Sequence, residues 1–336
     1  MKALSLLSPA LFVCAAPAFA NVVVASPHHA AKVVSPFWLS ANAQPCSSQA
    51  IAAMGYSIDD SSNTTIVPGT GVNTLVGSGI GSHIVHVKSW GVLGASCVTD
   101  VAITVVPSPL DSVPANAKVS KEIQLWTGWQ AVNDTGTGNG ISQGIMSLEQ
   151  ALSLSGVSRK FVTSYSNSAG ERYYINFATD PSPKNFLYDT WIYLVSPSSD
   201  IANLEMDMNQ VIWNGDTVIY GVQCDGYSNT WDYTANDGSP KKYDDAWRHS
   251  AAYCNPREWS TNTWHHVQLT YSRNSAGHVT YKSVWLDGEE QTLDVTVPSA
   301  FSLGWGPALL TNIQVDGLGG YGSATILVDH MTVYRW

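Results

Sequence analysis

Leu204-Glu205-Met206-Asp207-Met208-Asn209-Gln210 alternates apolar and polar residues with a period of two. That period marks a β-strand with one face on a core. Leu204, Met206 and Met208 fill the core face, and Glu205, Asp207 and Asn209 share the other. Gln210 lies at an odd offset from Glu205 and joins the carboxylates only if a bulge shifts the strand; in a regular strand Asn209 takes that place. Neither is an acid, and an amide does not donate a catalytic proton as a carboxylic acid does.

Further strand-like runs surround this one: 161–165, 172–177, 189–195, 216–223, 265–271, 279–286 and 324–334. The turns 166–170 and 273–277, both Asn-Ser-Ala-Gly with one preceding residue, read as hairpin loops. A single short helix is expected at 147–154. Many strands over some two hundred residues imply an all-β domain of two packed antiparallel sheets, a jelly roll, over 119–336. Before it, residues 107–118 hold three prolines in a polar run and read as a linker. Residues 21–106 break into short strands at 21–25, 37–41, 52–58, 82–90 and 101–106, which suit a small immunoglobulin-like sandwich.

Residues 1–20 begin Met-Lys, run apolar and end Ala-Phe-Ala, the pattern of a secretory signal peptide. The run is short and carries Pro9 and Pro17, which argues against a membrane span. The expected location is therefore secreted: extracellular, periplasmic or on the cell surface. Beyond the signal, Cys46, Cys97, Cys224 and Cys254 suit two disulfides in an exported chain. Three pairings exist; the one confined within domains joins Cys46 to Cys97 and Cys224 to Cys254. Without the signal's one lysine the balance is 15 basic against 26 acidic residues, a net of −11. A mild acidic excess with few charges of either sign does not suit nucleic-acid binding.

The stretch 204–210 resembles the Glu-x-Asp-x-x-Glu motif of family 16 and family 7 glycoside hydrolases, with Gln210 where those families place the acid/base. The resemblance implies a sugar-facing groove, with Glu205 as nucleophile and Asp207 beside it if the protein is an enzyme. Thr263-Trp-His-His-Val-Gln-Leu-Thr-Tyr271 and Ser283-Val-Trp-Leu-Asp-Gly288 look like the paired strands of concanavalin A-like and laminin G-like domains. Ile326-Leu-Val-Asp-His-Met-Thr-Val-Tyr334 is similar to the closing strand of family 16 hydrolases. Val24-Ala-Ser-Pro-His28 and His86-Val-Lys-Ser-Trp90 resemble the small immunoglobulin-like modules of bacterial secreted proteins. Concanavalin A-like domains often carry a structural calcium, to which Asp329, Asp244 and Asp245 would contribute.

Eleven of the thirteen tryptophans lie after the linker. Pyranose rings stack their C–H faces on indole. Trp231 and Trp247, among short polar residues between Cys224 and Cys254, are the expected platforms; Trp126, Trp191, Trp264, Trp285 and Trp305 are expected in the core. His249 is expected near the groove, and the adjacent His265 and His266 are expected to point to opposite faces. Glu258, Asp225 and His249 are candidate proton donors by type alone. Together these residues point first to a carbohydrate-binding protein that engages a polysaccharide through Glu205, Asp207, Asn209 and Gln210, with Trp231, Trp247 and His249. A glycoside hydrolase or polysaccharide lyase using Glu205, and an adhesive or structural surface protein, are the alternatives.

Overall fold

The computed structural model describes residues 22–44, 49–135, 139–198 and 200–336. The expected signal peptide and Cys46, with the Cys46–Cys97 pairing, lie outside the described residues. The chain is all-β: its strands build β-sandwich sheets, as the alternating runs require. Among the described residues the chain divides into two compact units, one of 22–31 with 38–105, the other of 32–37 with 106–336.

The strands of the first part are β1 (Val23–Ser26), β2 (Ala31–Val33), β3 (Phe37–Asn42), β4 (Ile51–Ile58), β5 (Thr65–Pro68), β6 (Gly71–Val76), β7 (Gly81–Gly91) and β8 (Ser96–Val105). In the first unit β1, β3 and β6 form one sheet, and β8, β7, β4 and β5 run in that order in another. Leu39, Met54, Val72, Val85 and Val87 are buried in it.

The second unit holds β9 (Lys118–Ser120), β10 (Gln130–Asp134), β11 (Ile141–Glu149), β12 (Ser158–Ser166), β13 (Gly170–Ala178), β14 (Asn185–Leu194), β15 (Ile201–Val211) and β16 (Thr217–Asp225). After these come β17 (Thr230–Asn236), β18 (Asp245–Tyr253), β19 (Trp264–Arg273), β20 (His278–Leu286), β21 (Glu289–Pro298), β22 (Ala300–Phe301), β23 (Leu309–Gly317) and β24 (Tyr321–Arg335). Among the described residues one sheet runs β10-β13-β23-β15-β16-β17-β18, and the facing one β11-β12-β24-β14-β19-β20-β21. The core between them is aromatic. Phe161 and Tyr173 meet across the sandwich with ring centres 4.4 Å apart, and Phe186, Tyr220 and Tyr271 stack at 4.9 to 5.8 Å. Leu204, Met206 and Met208 point into this core and are essentially buried.

Two local expectations change and one holds. Residues 147–149 belong to β11, whose pairing with β12 is regular from Ile141↔Ser166 to Glu149↔Ser158; long-range ladder bonds override the weak helical pattern. The turn 166–170 is no hairpin, because β12 and β13 lie in different sheets; Asn167 and Ser168 take positive φ and carry the chain from one sheet to the other. The turn 273–277 does close a true hairpin between β19 and β20.

The stretch 107–118 is not a free tether. Ser108 and Asp111 form a reciprocal cap on a 3-10 turn at Pro109–Ser112 with Pro109 buried, and Lys118 pairs with Arg335 in the β9–β24 ladder. Lys118 Nζ also meets Asp180 Oδ2 at 2.6 Å. Cys224, at the end of β16, is bonded to Cys254, just after β18. Among the described residues no helix is long and apolar enough to cross a membrane.

Candidate functional site

The ladder of β15 runs without a bulge from Asn203 to Gln210 on both sides. Glu205, Asp207 and Asn209 therefore share the outer face of their sheet, and Gln210 faces inward. Register alone aligns their neighbours into rows. One row crosses six strands as Arg172, Gln314, Glu205, Gln223, Asp232 and His249. The next is Tyr174, Asn312, Asp207 and Gly221, continued by Thr234 and Trp247. A third is Asn176, Leu310, Asn209 and Ile219. Two glycines make the rows fit. A Cβ on Gly221 would stand 2.4 Å from Thr234 Cγ2 and 3.0 Å from Asp207 Oδ1, and one on Gly170 would stand 1.6 Å from Asp316 Oδ1.

Hydrogen bonds lock the rows. Arg172 Nε donates to Gln314 Oε1 at 2.9 Å, which orients the amide so that its Nε2 donates to Glu205 Oε1 at 2.9 Å and to Asp316 Oδ1 at 3.0 Å. The two carboxyl oxygens sharing that nitrogen lie no more than about 6 Å apart. Asn312 Nδ2 donates to Asp207 Oδ2 at 3.2 Å, and Arg172 pairs with Asp134 at 2.8 Å. His249 Nδ1 is 2.9 Å from Asp232 Oδ2. Asp207 Oδ1 and Asn209 Oδ1 are buried without a hydrogen bond of full geometry, although the backbone of Val222 lies close enough to the Asp207 carboxyl to favour its charged form. Beside Asn209 opens a pocket of about 610 Å³ whose lining also includes Arg172, Tyr174, Asn176, Asn312 and Trp305.

The electrostatics follow from burial. Desolvation, and then the charges of Asp207 and Asp316, push the Glu205 carboxyl well above the usual range. Burial raises Asp207 to about 7 against the pull of Arg172 and Asn312, and raises Asp316 to about 7 against Gln314 and Arg172. Burial works against the charge of Arg172, but Glu205, Asp207, Asp134 and Asp316 outweigh it and hold its pKa up.

A pH dependence of stability follows. The unfolded chain releases the protons of Asp207 and Asp316 near pH 4, whereas the folded chain keeps them to about pH 7. The stability these groups contribute is complete below pH 4, falls between pH 4 and 7, and stays lost above. Asp180 and Asp329 are shifted the other way, so their effect is confined to pH below about 4. Urea unfolding followed by tryptophan fluorescence should therefore give a more stable second unit at pH 5.5 than at pH 8. Asp207→Asn and Asp316→Asn should each flatten that slope. Stability that rises with pH over this range would contradict the assignment of these carboxyls.

The other expected site residues divide. Trp247 is half-buried on the groove face, and His249 is exposed on it. Trp231 is fully buried in the core against Trp259, with ring centres 6.3 Å apart, because β17 turns Asp232 and Thr234 outward and Trp231 inward. It is no stacking platform. Gln210 also leaves the set: Nε2 donates to the carbonyls of Asp180 and Pro183, and Oε1 accepts from Tyr220 and Arg273. Trp305, expected in the core, is 44% exposed and lines the groove pocket; Trp126 is also partly exposed. Trp285 is buried, and Trp191 and Trp264 are half-buried.

Glu258 is exposed and accepts from Tyr253, and Asp225 accepts from the backbone of Tyr227 and Ser228 to hold the turn after β16. His265 is buried between Asp287 and the Ser260 carbonyl, whereas His266 stacks on Trp191 and meets Asp189. The Asp329 carboxylate accepts six hydrogen bonds, from Gln124, the Ser153 hydroxyl, the Leu154 backbone, the backbone and hydroxyl of Ser155, and the His330 backbone. Asp244 and Asp245 are exposed at the start of β18.

Arg172, Tyr174, Asn312, Gln314, Asp316 and Trp305 were not singled out from the sequence as site residues. The stretch Asn312-Ile-Gln-Val-Asp316 carries the same signal as 204–210, amides and an acid alternating with β-branched core residues.

No family model matches the chain, and no curated protein matches it. Among solved structures it is similar to one determined for the promiscuous specificity of carbohydrate-binding modules of the β-sandwich superfamily. Identity there is 12% over 93% of this chain and 96% of that one, with TM-score 0.34. The cellulose-induced protein Cip1 shares 15% identity over 60% of this chain and 96% of its own, with TM-score 0.34. The carbohydrate-binding module CBM66 from Bacillus subtilis shares 13% over 59% and 95%, with TM-score 0.26. What this chain takes must be read from its own side chains.

Proposed function

We propose that the second unit is an exported carbohydrate-binding domain that holds a polysaccharide along the outer face of the β10–β18 sheet. The observation that carries this is Asn209 Oδ1, a buried oxygen left without a partner on a residue that lines an open pocket. A buried acceptor without a donor is costly, and native folds keep few. Sugar hydroxyls are donors at the right scale to meet such an acceptor at the wall of a pocket. Arg172, Asn312, Gln314 and Asn176 supply further polar contacts. Tyr174, Trp247 and Trp305 are the aromatic surfaces on which pyranose faces would stack. The Cys224–Cys254 bond accords with export.

The reading makes an unusual demand on one variant. Asn209→Leu removes an unsatisfied buried oxygen with little change in volume, so it should raise stability, by about 1 kcal/mol. The same change should weaken glycan binding about tenfold, by taking away one acceptor and crowding the pocket. Thermal unfolding and isothermal titration against hits from a glycan array check both effects. Unchanged affinity would remove Asn209 from the site.

One observation favours a second reading, as a glycoside hydrolase. Glu205 and Asp316 are bridged by Gln314 with oxygens within about 6 Å, near the separation of about 5–5.5 Å in retaining enzymes. Both carboxyls are shifted upward, as a general acid requires. Reducing-sugar release on each array hit, lost in both Glu205→Gln and Asp316→Asn, would establish it. Binding without release would leave the domain a binder.

A further inference from the structure

The pocket beside Asn209 has one charged side chain in its lining, the guanidinium of Arg172, and no carboxylate. Asn176, Asn209 and Asn312 are its amides, and Tyr174 and Trp305 its aromatic surfaces. Arg172 is fixed in place with donors to spare. Its Nε donates to Gln314 Oε1 at 2.9 Å and its Nη2 to Asp134 Oδ2 at 2.8 Å, whereas Nη1 makes no hydrogen bond among the described residues. A guanidinium presents its N–H donors in a rigid plane, so it can hold those two partners and still offer a free edge. Asn176 stands about 13 Å further along β13. Its Oδ1 accepts from the Leu309 backbone at 3.4 Å, which leaves Nδ2 as a donor, and Asn209 Oδ1 beside it is an open acceptor. The pocket is thus cationic at one end and neutral and polar at the other.

We propose that this pocket takes an acidic sugar: a uronate residue places its carboxylate on the free edge of Arg172, and hydroxyls of the next residue in the chain meet Asn176 and Asn209. The uronate assignment rests on the carbohydrate-binding reading above and narrows it.

The chemistry separates the candidate ligands. Arginine matches a carboxylate with parallel N–H donors, and such charge-assisted hydrogen bonds are roughly twice as strong as neutral ones. A neutral sugar would meet the amides equally well but leave the spare donors of Arg172 to water. An amino sugar would set a second cation against Arg172 in a pocket whose lining has no carboxylate to receive it. The carboxyls whose charge reaches Arg172 are Asp134 on β10, Glu205 and Asp207 on β15, Asp316 on β23 and Asp245 at the start of β18. None of them lines the pocket. Burial holds Asp207 and Asp316 protonated to about pH 7, and it pushes Glu205 and Asp245 above the usual carboxyl range as well. Below pH 7 this part of the sheet therefore carries little negative charge besides Asp134. Above it, ionised Asp207 and Asp316 repel a uronate. Affinity for an acidic sugar should fall as the pH rises through 7, and affinity for a neutral sugar should not.

The test is titration calorimetry on the full chain at pH 5.5 and physiological ionic strength, with three β-1,4 oligosaccharides of equal length. These are the glucuronate oligomer, the glucose oligomer, and the glucose oligomer sulfated on its primary hydroxyls. The glucuronate oligomer should bind about tenfold more tightly than the glucose oligomer, and that advantage should shrink at pH 8. Arg172→Gln should abolish it. Asp134→Asn, a change at a partly exposed residue that frees Arg172 Nη2 from its ion pair, should instead increase it about threefold, so a poorly folding Arg172 variant does not decide the matter alone. Equal or tighter binding of the glucose oligomer overturns the inference and leaves the sugar groove standing. An advantage that survives in Arg172→Gln does the same. Tighter binding of the sulfated oligomer would give Arg172 to a sulfate ester and overturns the uronate. If none of the three binds, a glycan array decides: uronate-bearing hits that weaken in Arg172→Gln support the inference, and neutral hits alone overturn it. No hit at all ends the carbohydrate reading itself.

Discussion

Gln210→Glu is expected to destabilise the second unit by about 2–4 kcal/mol, the cost of one or two buried polar groups set against like partners, and to create no sugar cleavage. The substitution would complete the Glu-x-Asp-x-x-Glu pattern on paper. In the fold, Gln210 is wholly buried on the inner side of β15. Its Nε2 donates to the carbonyl of Asp180 at 2.9 Å and of Pro183 at 3.2 Å. A glutamate would turn an oxygen toward those two oxygens. Keeping a proton there would restore one donor, but Arg273, 2.7 Å from Oε1, favours the ionised form. Either choice leaves a buried group badly met. Denaturant unfolding should show the loss, and glycan affinity of the folded fraction should be unchanged. A gain of reducing-sugar release in this variant would mean that β15 is bulged and that residue 210 reaches the groove.

Opening the Cys224–Cys254 bond is expected to cost about 4 kcal/mol from the entropy of a closed loop of this length. The two cysteines are 30 residues apart in sequence and both are buried. The loop they close contains β17 and β18, which carry Asp232, Trp247 and His249. For a unit of this size the melting temperature should fall by roughly 10 °C. A Cys224→Ser, Cys254→Ser double variant, compared with the parent by calorimetry, measures it. Groove binding should weaken with it, since β17 and β18 form one end of the site. A fall of only one or two degrees would mean that β16, β17 and β18 hold their places without the covalent tie.

The strand that defines the face was legible because its alternation is local. Leu204, Met206 and Met208 require a core on one side, which forces Glu205, Asp207 and Asn209 together on the other. The side taken by Gln210 depended on whether the strand was bulged, and only the ladders to β16 and β23 resolve that. Trp231 shows the same limit from the other direction. The run from Tyr227 to Trp247 reads as an aromatic, polar loop, yet it contains β17, whose parity sends Asp232 outward and Trp231 inward. Trp305 lies in a Gly-Trp-Gly-Pro stretch with no strand period, so nothing local distinguishes a groove rim from a core. Arg172 and Gln314 are 142 residues apart and meet only through the β13–β23 register. The mixture of amides and acids along Asn312-Ile-Gln-Val-Asp316 was the readable half of that contact. Its partner across the sheet was not readable from one strand.

The most direct measurement is a crystal structure of the full chain soaked with the tightest-binding oligosaccharide among the glycan-array hits. A sugar hydroxyl should lie within hydrogen-bonding distance of Asn209 Oδ1, and a pyranose face should rest on Tyr174, Trp247 or Trp305. Density for the sugar elsewhere on the protein, with Asn209 Oδ1 untouched by it, would contradict the assignment of this face as the binding site.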